Sequence, residues 1–200
     1  TSPARMRQDL LRDRGIKLEI AGLPAFMNDF DRLFAASVRE APVVLGAFAR
    51  YAGEPYGGPV PQPPAMIARG GKDAPPFDRY LPLAPGAVLP LPQFFDEAPV
   101  GFVNVSPDAD GLVRQIPLLL RFGDAVYPSL ALQALMRALG TDALRLYTGP
   151  DGLFSVAAGE FKIPVSREGY MLVPFQGARR SYRYISAAKV LEGSATHADL

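Results

Sequence analysis

The sequence predicts an α/β domain of the α+β kind: a mixed β-sheet with hairpins, flanked by helices. Three observations predict it. An amphipathic helix followed directly by a continuous apolar strand occupies residues 28–48, the pattern of a helix covering a buried sheet. Apolar runs punctuated by turn residues fill 100–122 and 144–175, as strand pairs do. Between them lies Leu130–Leu139, apolar almost all round, with only Gln133 and Arg137 polar.

Taken in order, residues 3–14 carry Met6, Leu10 and Leu11 at helical spacing among charges, which predicts a short exposed helix. Ser2-Pro3 supplies an N-cap with Pro at the first helical position, and Gly15 ends the helix. From Asn28, read as an N-cap, to Glu40, the apolar Phe30, Leu33, Phe34 and Val38 share one helical face. Pro42–Phe48 reads as the buried strand that follows.

Residues 53–99 hold 12 of the 21 prolines, a density that neither helix nor paired strand is expected to tolerate. Apolar clusters such as Phe77, Tyr80-Leu81 and Phe94-Phe95 argue against a solvated linker. The reading is a long Pro-rich loop packed down on the domain, with a short strand near Ala65–Ala68.

Val100–Val105 alternates like a strand and stops at Ser106-Pro107-Asp108-Ala109-Asp110-Gly111. Pro107 fixes φ and Gly111 permits φ > 0, so this stretch is a turn, and the run Leu112–Phe122 makes it a predicted hairpin. Gly123-Asp124 ends that run, Pro128-Ser129 opens the apolar helix, and Gly140 closes it. That helix is read as a core element, or as a subunit interface. Two turn-joined strand pairs follow, Leu144–Thr148 with Leu153–Val156, and Glu160–Val165 with Tyr170–Phe175. Ser186 is read as the cap of a last helix, Ala187–Glu192, stopped by Gly193.

Bulk properties narrow the function. Two hundred residues at 48% hydrophobic suit one domain. With 21 basic and 20 acidic side chains there is no concentrated basic surface, so nucleic acid is not an expected partner. The chain has no cysteine, which removes disulfides, thiolate metal sites and thiol nucleophiles together. No apolar run approaches the length needed to cross a bilayer.

Chemical motifs are few. Asp108-Ala109-Asp110-Gly111 resembles part of a calcium loop, but with Gly111 at the sixth position the twelfth is Pro117 instead of a bidentate Glu. Turn chemistry explains the aspartates better. Arg114 interrupts an otherwise apolar strand face and requires an acidic partner, with Asp108 or Asp110 in reach. These three, Asp108, Asp110 and Arg114, are also the candidate ligand-facing residues, while Pro107 and Gly111 are structural. No catalytic residue, metal site or cofactor is expected. The single His197 lies in a polar tail, and phosphate-binding loops and nucleophile elbows are absent from the sequence. Gln176–Tyr184 mixes Arg179, Arg180 and Arg183 with two tyrosines and reads as an exposed return loop.

The order Asn104, Pro107, Asp108, Asp110, Gly111, Val113-Arg114, Pro117, Gly123 and Pro128-Ser129-Leu130-Ala131-Leu132 resembles the central signature of the CHASE2 sensor domain. Ile163-Pro164-Val165, Gly169–Gly177 and Tyr184-Ile185-Ser186 resemble that family's later hairpin and helix, and Asp29–Phe48 its earlier helix and strand. The likeness is weakest across 53–99. It implies a single extracytoplasmic (periplasmic) sensor domain spanning 1–200 as an inner segment of a longer membrane protein. Its implied partners are a small-molecule or environmental signal, the parent's own transmembrane helices, a cytoplasmic output such as an adenylate or guanylate cyclase or a histidine kinase, and a second copy in a homodimer. The competing expectation is a freestanding periplasmic solute-binding domain or enzyme, with the Pro-rich loop as a lid.

Overall fold

The computed structural model describes residues 2–24, 27–177, 181 and 184–194. Helix α1 (Pro3–Arg14) starts on Ser2, whose side chain accepts from the Arg5 amide, and ends on Gly15 in the left-handed region. Helix α2 (Phe30–Glu40) is capped by Asp29, whose carboxylate accepts from the Arg32 amide. Asn28, the expected cap, has another task. Its backbone C=O accepts from Ala4 N–H at 2.8 Å and its side-chain oxygen from Arg7 at 3.3 Å, so it ties α1 to α2.

Four small sheets follow. Strand β1 (Leu45–Arg50) pairs in parallel with β5 (Val100–Phe102) and antiparallel with β4 (Gly86–Val88). Strand β7 (Leu119–Phe122) lies between β3 (Leu83–Ala84), parallel, and β8 (Ala125–Pro128), antiparallel. Strand β6 (Gln115–Pro117) pairs antiparallel with β12 (Tyr170–Leu172). The fourth sheet has the order β11 (Phe161–Pro164), β10 (Gly152–Ala158), β9 (Ala143–Gly149), β2 (Ala65–Gly70); only its β2/β9 pair is parallel. Helices α3 (Pro92–Phe95), α4 (Leu130–Leu139) and α5 (Ala187–Leu191) complete the α+β fold.

The Pro-rich stretch is largely irregular as expected and carries the expected short strand as β2, but it is not one uninterrupted loop. It supplies β2, β3, β4 and α3, and its strands enter three of the four sheets. All three strands lie at sheet edges and are themselves free of proline, the prolines standing between and beside them. Its packing down is as expected: Leu81, Ala84 and Phe95 are buried, and Tyr127 donates its hydroxyl to the Pro61 carbonyl at 2.7 Å.

Two predicted hairpins resolve differently. The turn at 106–112 forms, with Asp108 N–H donating to Leu112 C=O and Gly111 N–H to Asp108 C=O, but the segments on either side enter different sheets. The run Leu112–Phe122 itself divides at Leu118, whose N–H donates to Gly169 on one side while its C=O accepts from Ser129 on the other. The hairpin falls one step later, around Gly123 (φ 59°), and uses Ala125–Pro128, a strand short enough to be read as part of a turn. Likewise the 166–169 turn closes through Ser166 N–H to Tyr170 C=O, yet β11 pairs with β10 across Gly159-Glu160 and β12 pairs with β6. The first of those pairs, β9 with β10, is as expected.

The core has two parts. One gathers Leu118, Leu119, Leu132, Met136, Leu144, Leu146 and Val156; the other gathers Ala47, Ala49, Phe102, Leu120, Phe122 and Tyr127. Helix α4 is a core element on one face, where Leu132, Gln133 and Met136 are buried, while Ala131, Ala134 and Ala138 stay open. The apolar stripe of α2 is covered less than expected. Val38 and Ala35 are buried, but Phe30, Leu33 and Phe34 remain about half exposed because α2 lies outside both core clusters, against the short α3.

Gly101 sets how closely α4 approaches β5. A Cβ there would lie 2.6 Å from Leu130 Cα and 2.8 Å from both Leu130 N and Ser129 O, all backbone atoms that cannot step aside. Gly101→Ala is therefore expected to destabilise the domain by about 3 kcal/mol, read as a lowered denaturation midpoint at unchanged m-value, whereas Gly57→Ala, which meets open space, stays within about 0.5 kcal/mol.

Candidate functional site

Site geometry starts at Asn104, which is 8% exposed on a chain otherwise leaving the sheet. In a parallel ladder, the rung after Val103 N–H to Ala47 C=O would bring Val103 C=O and Val105 N–H to Ala49. Asn104 replaces both with its side chain. Its Oδ1 accepts from Ala49 N–H at 2.7 Å and its Nδ2 donates to Ala49 C=O at 2.8 Å. The planar amide thus completes the β1/β5 edge and frees the backbone to turn outward at Ser106-Pro107.

That outward turn holds the three sequence-predicted ligand candidates, and the structure brings all three together. Arg114 Nη1 donates to Asp108 at 2.8 Å and to Asp110 at 2.9 Å, and Nη2 donates to Asp110 at 2.6 Å, a two-pronged grip on one carboxylate. Asp110 also accepts from Leu112 N–H at 3.1 Å, and Gly111 has φ 81°. Hydrogen bonding to Arg114, then to the Leu112 amide, holds the Asp110 carboxyl below its ordinary range; its two aspartates push the guanidinium up. About half of the Arg114 side chain is accessible, and both of its Nη groups donate to the turn. Val173 N–H donates to Arg114 C=O, joining the turn to the chain after β12.

A second polar feature was visible in the sequence only as a lone amide on an apolar helix. Gln133 is 6% exposed, and its Oε1 has no hydrogen-bond donor. It contributes to a cavity of about 350 Å³ between the Pro-rich segment and the end of α4. A larger, more polar hollow of about 470 Å³ lies among α1, α2 and α3, bordered by Arg5, Asp29 and Asp31. Among the described residues no group of three His, Asp or Glu is placed to hold a metal ion, and no helix is long and apolar enough to cross a membrane. His197 and Arg179, Arg180 and Arg183 lie outside the described residues.

The described residues thus form a mixed, four-sheet α+β domain whose surface turn is pinned by Arg114. Comparison with known families carries this further: residues 3–199 match the CHASE2 domain, including the 53–99 stretch where the signature is weakest. The chain belongs to the CHASE2 family, whose members are extracellular sensory domains and not catalysts. No curated protein and no solved structure matches it.

Two outcomes follow from this geometry. Asn104→Ala leaves two buried backbone groups of Ala49 without partners and is expected to cost about 3 kcal/mol in denaturant unfolding; Asn104→Asp costs at least as much, because it sets an oxygen against Ala49 C=O. The carboxyl resonance of Asp110, followed by NMR, is expected to titrate below the usual Asp range and to return toward it in Arg114→Gln. Because the folded value is depressed, any stability from the pair is present above the unfolded-state pKa and is lost as pH falls through the folded one.

Proposed function

We propose that this domain is the extracytoplasmic, periplasmic sensing part of a membrane receptor that works as a homodimer and regulates a cytoplasmic output, such as a nucleotide cyclase or a histidine kinase. The CHASE2 match over residues 3–199 is the observation that carries the reading. The Pro-rich segment supports it against a lidded enzyme. A stretch paired into three sheets cannot swing open without breaking β-ladders, as a lid must.

Helix α1 is suited to passing a signal on. It buries no side chain, and its described ties to the domain are polar: Ala4 and Arg7 to Asn28, and Arg5 to Asp31 at 3.5 Å. Exposed ion pairs and single hydrogen bonds contribute little each, so the helix can shift without disturbing either core.

Topology is directly testable because the chain contains no cysteine. Leu191→Cys, at a position 87% exposed, gives one addressable thiol within the domain. In intact cells producing the parent protein, a membrane-impermeant maleimide is expected to label that thiol. Labelling that appears only after lysis would place the domain on the cytoplasmic side and remove the receptor reading.

A further inference from the structure

We propose that strand β2 is a subunit interface: its open edge pairs antiparallel with the same strand of a second copy and joins two four-stranded sheets into one. The inference rests on the homodimer of the receptor reading and deepens it by naming the surface and its register.

β2 lies at the end of its sheet, where β9 is its one partner strand. The Ala65 N–H donates to the Asp142 C=O at 3.1 Å. In a parallel ladder that phase turns the backbone groups of Ala65, Ile67 and Arg69 toward β9, and those of Met66, Ala68 and Gly70 away from it. Among the described residues, these outward N–H and C=O groups have no hydrogen-bond partner. The strand is also open to solvent: every residue but Met66 is exposed, and Met66 packs against the first core.

Edges that stay single are usually short, or are interrupted by proline, lysine or a bulge. Other edge strands of this domain follow that rule. β3, β4, β5, β6 and β12 have two or three residues each, β8 ends in Pro128, and β11, at the far side of the same sheet, carries Lys162 and Pro164. β2 has six residues with no proline, lysine or bulge.

Its residues suit a two-fold axis. Outward-facing residues can meet only one another across an antiparallel pair, so the register centred on Ala68 sets Ala68 against its own copy and Met66 against the partner's Gly70. Every outward group on both copies is then used. Ile67 comes opposite the partner's Arg69, whose aliphatic stem covers it, and the two Arg69 charges stay apart. One residue further along, the register would set Arg69 directly against its copy and leave Met66 unpaired. With a net charge of +1, the copies repel each other little.

Sedimentation equilibrium of the 200-residue chain tests the pairing. Six residues on each side make a small interface, so a reversible dimer is expected to grow in as concentration rises to about 0.5 mM. Ala68→Pro removes an outward N–H while leaving the β2/β9 ladder intact, and is expected to fold, which its unfolding curve checks, and to weaken dimerisation about tenfold or more. A second variant does not depend on that fold. In the cysteine-free chain, Ala68→Cys places two thiols on residues about 5.5 Å apart at Cα, and a short bis-maleimide is expected to link them. Lys162→Cys, on the opposite edge and about 34 Å from its copy across the joined sheets, is expected to stay unlinked. A chain that remains monomeric, a dimer undiminished in Ala68→Pro, or linking no better through Ala68→Cys than through Lys162→Cys overturns the proposal. The second and third of these move the interface elsewhere and leave the homodimer standing, and none of the three alters the topology that Leu191→Cys reports.

Discussion

The amide of Asn104 is the constraint on which the rest of the arrangement turns. A chain that leaves a buried sheet edge abandons one N–H and one C=O on the neighbouring strand, and both must be satisfied or the departure is costly. Asn is well matched to this task, since its side chain carries one acceptor and a donor group in a plane similar to the peptide it replaces. With Ala49 satisfied at 2.7 and 2.8 Å, residues 105–114 can fold outward, form the Asp–Arg turn, and re-enter the domain in a different sheet. The turn itself is then held locally. Two carboxylates and one guanidinium fix its shape at the surface, where each contact is weak alone but the bidentate geometry gives it a single form.

Close approach is the second constraint. The Phe102 to Ser129 bridge brings the start of α4 onto the end of β5, and only a residue without Cβ fits at Gly101 between them. Ser129 then serves twice, its hydroxyl accepting from Leu132 N–H to cap α4 and its own N–H donating to Leu118 C=O. Leu118 is where the chain passes from the β6 sheet to the β7 sheet. Gly101, Ser129 and Leu118 together join three sheets around the first turn of one helix.

How much of this could be read from the residues follows from the range of each interaction. Helix limits were legible because their signals are local: Ser2, Gly15, Ser129 and Gly140 stand at their caps as the sequence indicates. The Asp108, Asp110 and Arg114 cluster was legible for the same reason, its partners being four to six residues apart. Strand partners were not. Turn residues at 106–111 and 166–169 announce that the chain reverses, but they do not say that the outgoing strand will pair with its neighbour. That is decided by edges left open elsewhere, as with β5 on β1 and β12 on β6. The prolines misled in the opposite direction, since their overall density hid that β2, β3 and β4 are short proline-free stretches lying between them. Gln133 was visible as a polar residue on an apolar helix, but whether a buried amide is satisfied depends on neighbours distant in sequence.

The division of the core gives the domain a means of coupling its two halves. In the β7/β8 hairpin, Leu119 and Val126 belong to one cluster while Leu120, Phe122 and Tyr127 belong to the other, so adjacent side chains on opposite faces of one hairpin serve separate cores. A displaced hairpin cannot repack one side without disturbing the other, because interiors at crystal-like density transmit small shifts rather than absorb them. Tyr127 makes the link specific. Its ring packs edge-on against Phe102, with centroids 5.9 Å apart, and its hydroxyl is anchored outside the cluster on the Pro61 carbonyl. Burial pushes its pKa up, so the phenol stays protonated as a donor through the physiological range. A change in the path of residues 61–64 would therefore pull on a side chain wedged between β5 and β7, while a change at α4 would press on the other face of the same hairpin. The two cores are thus joined through one hairpin, whose Leu119 and Val126 serve the first and whose Leu120, Phe122 and Tyr127 serve the second.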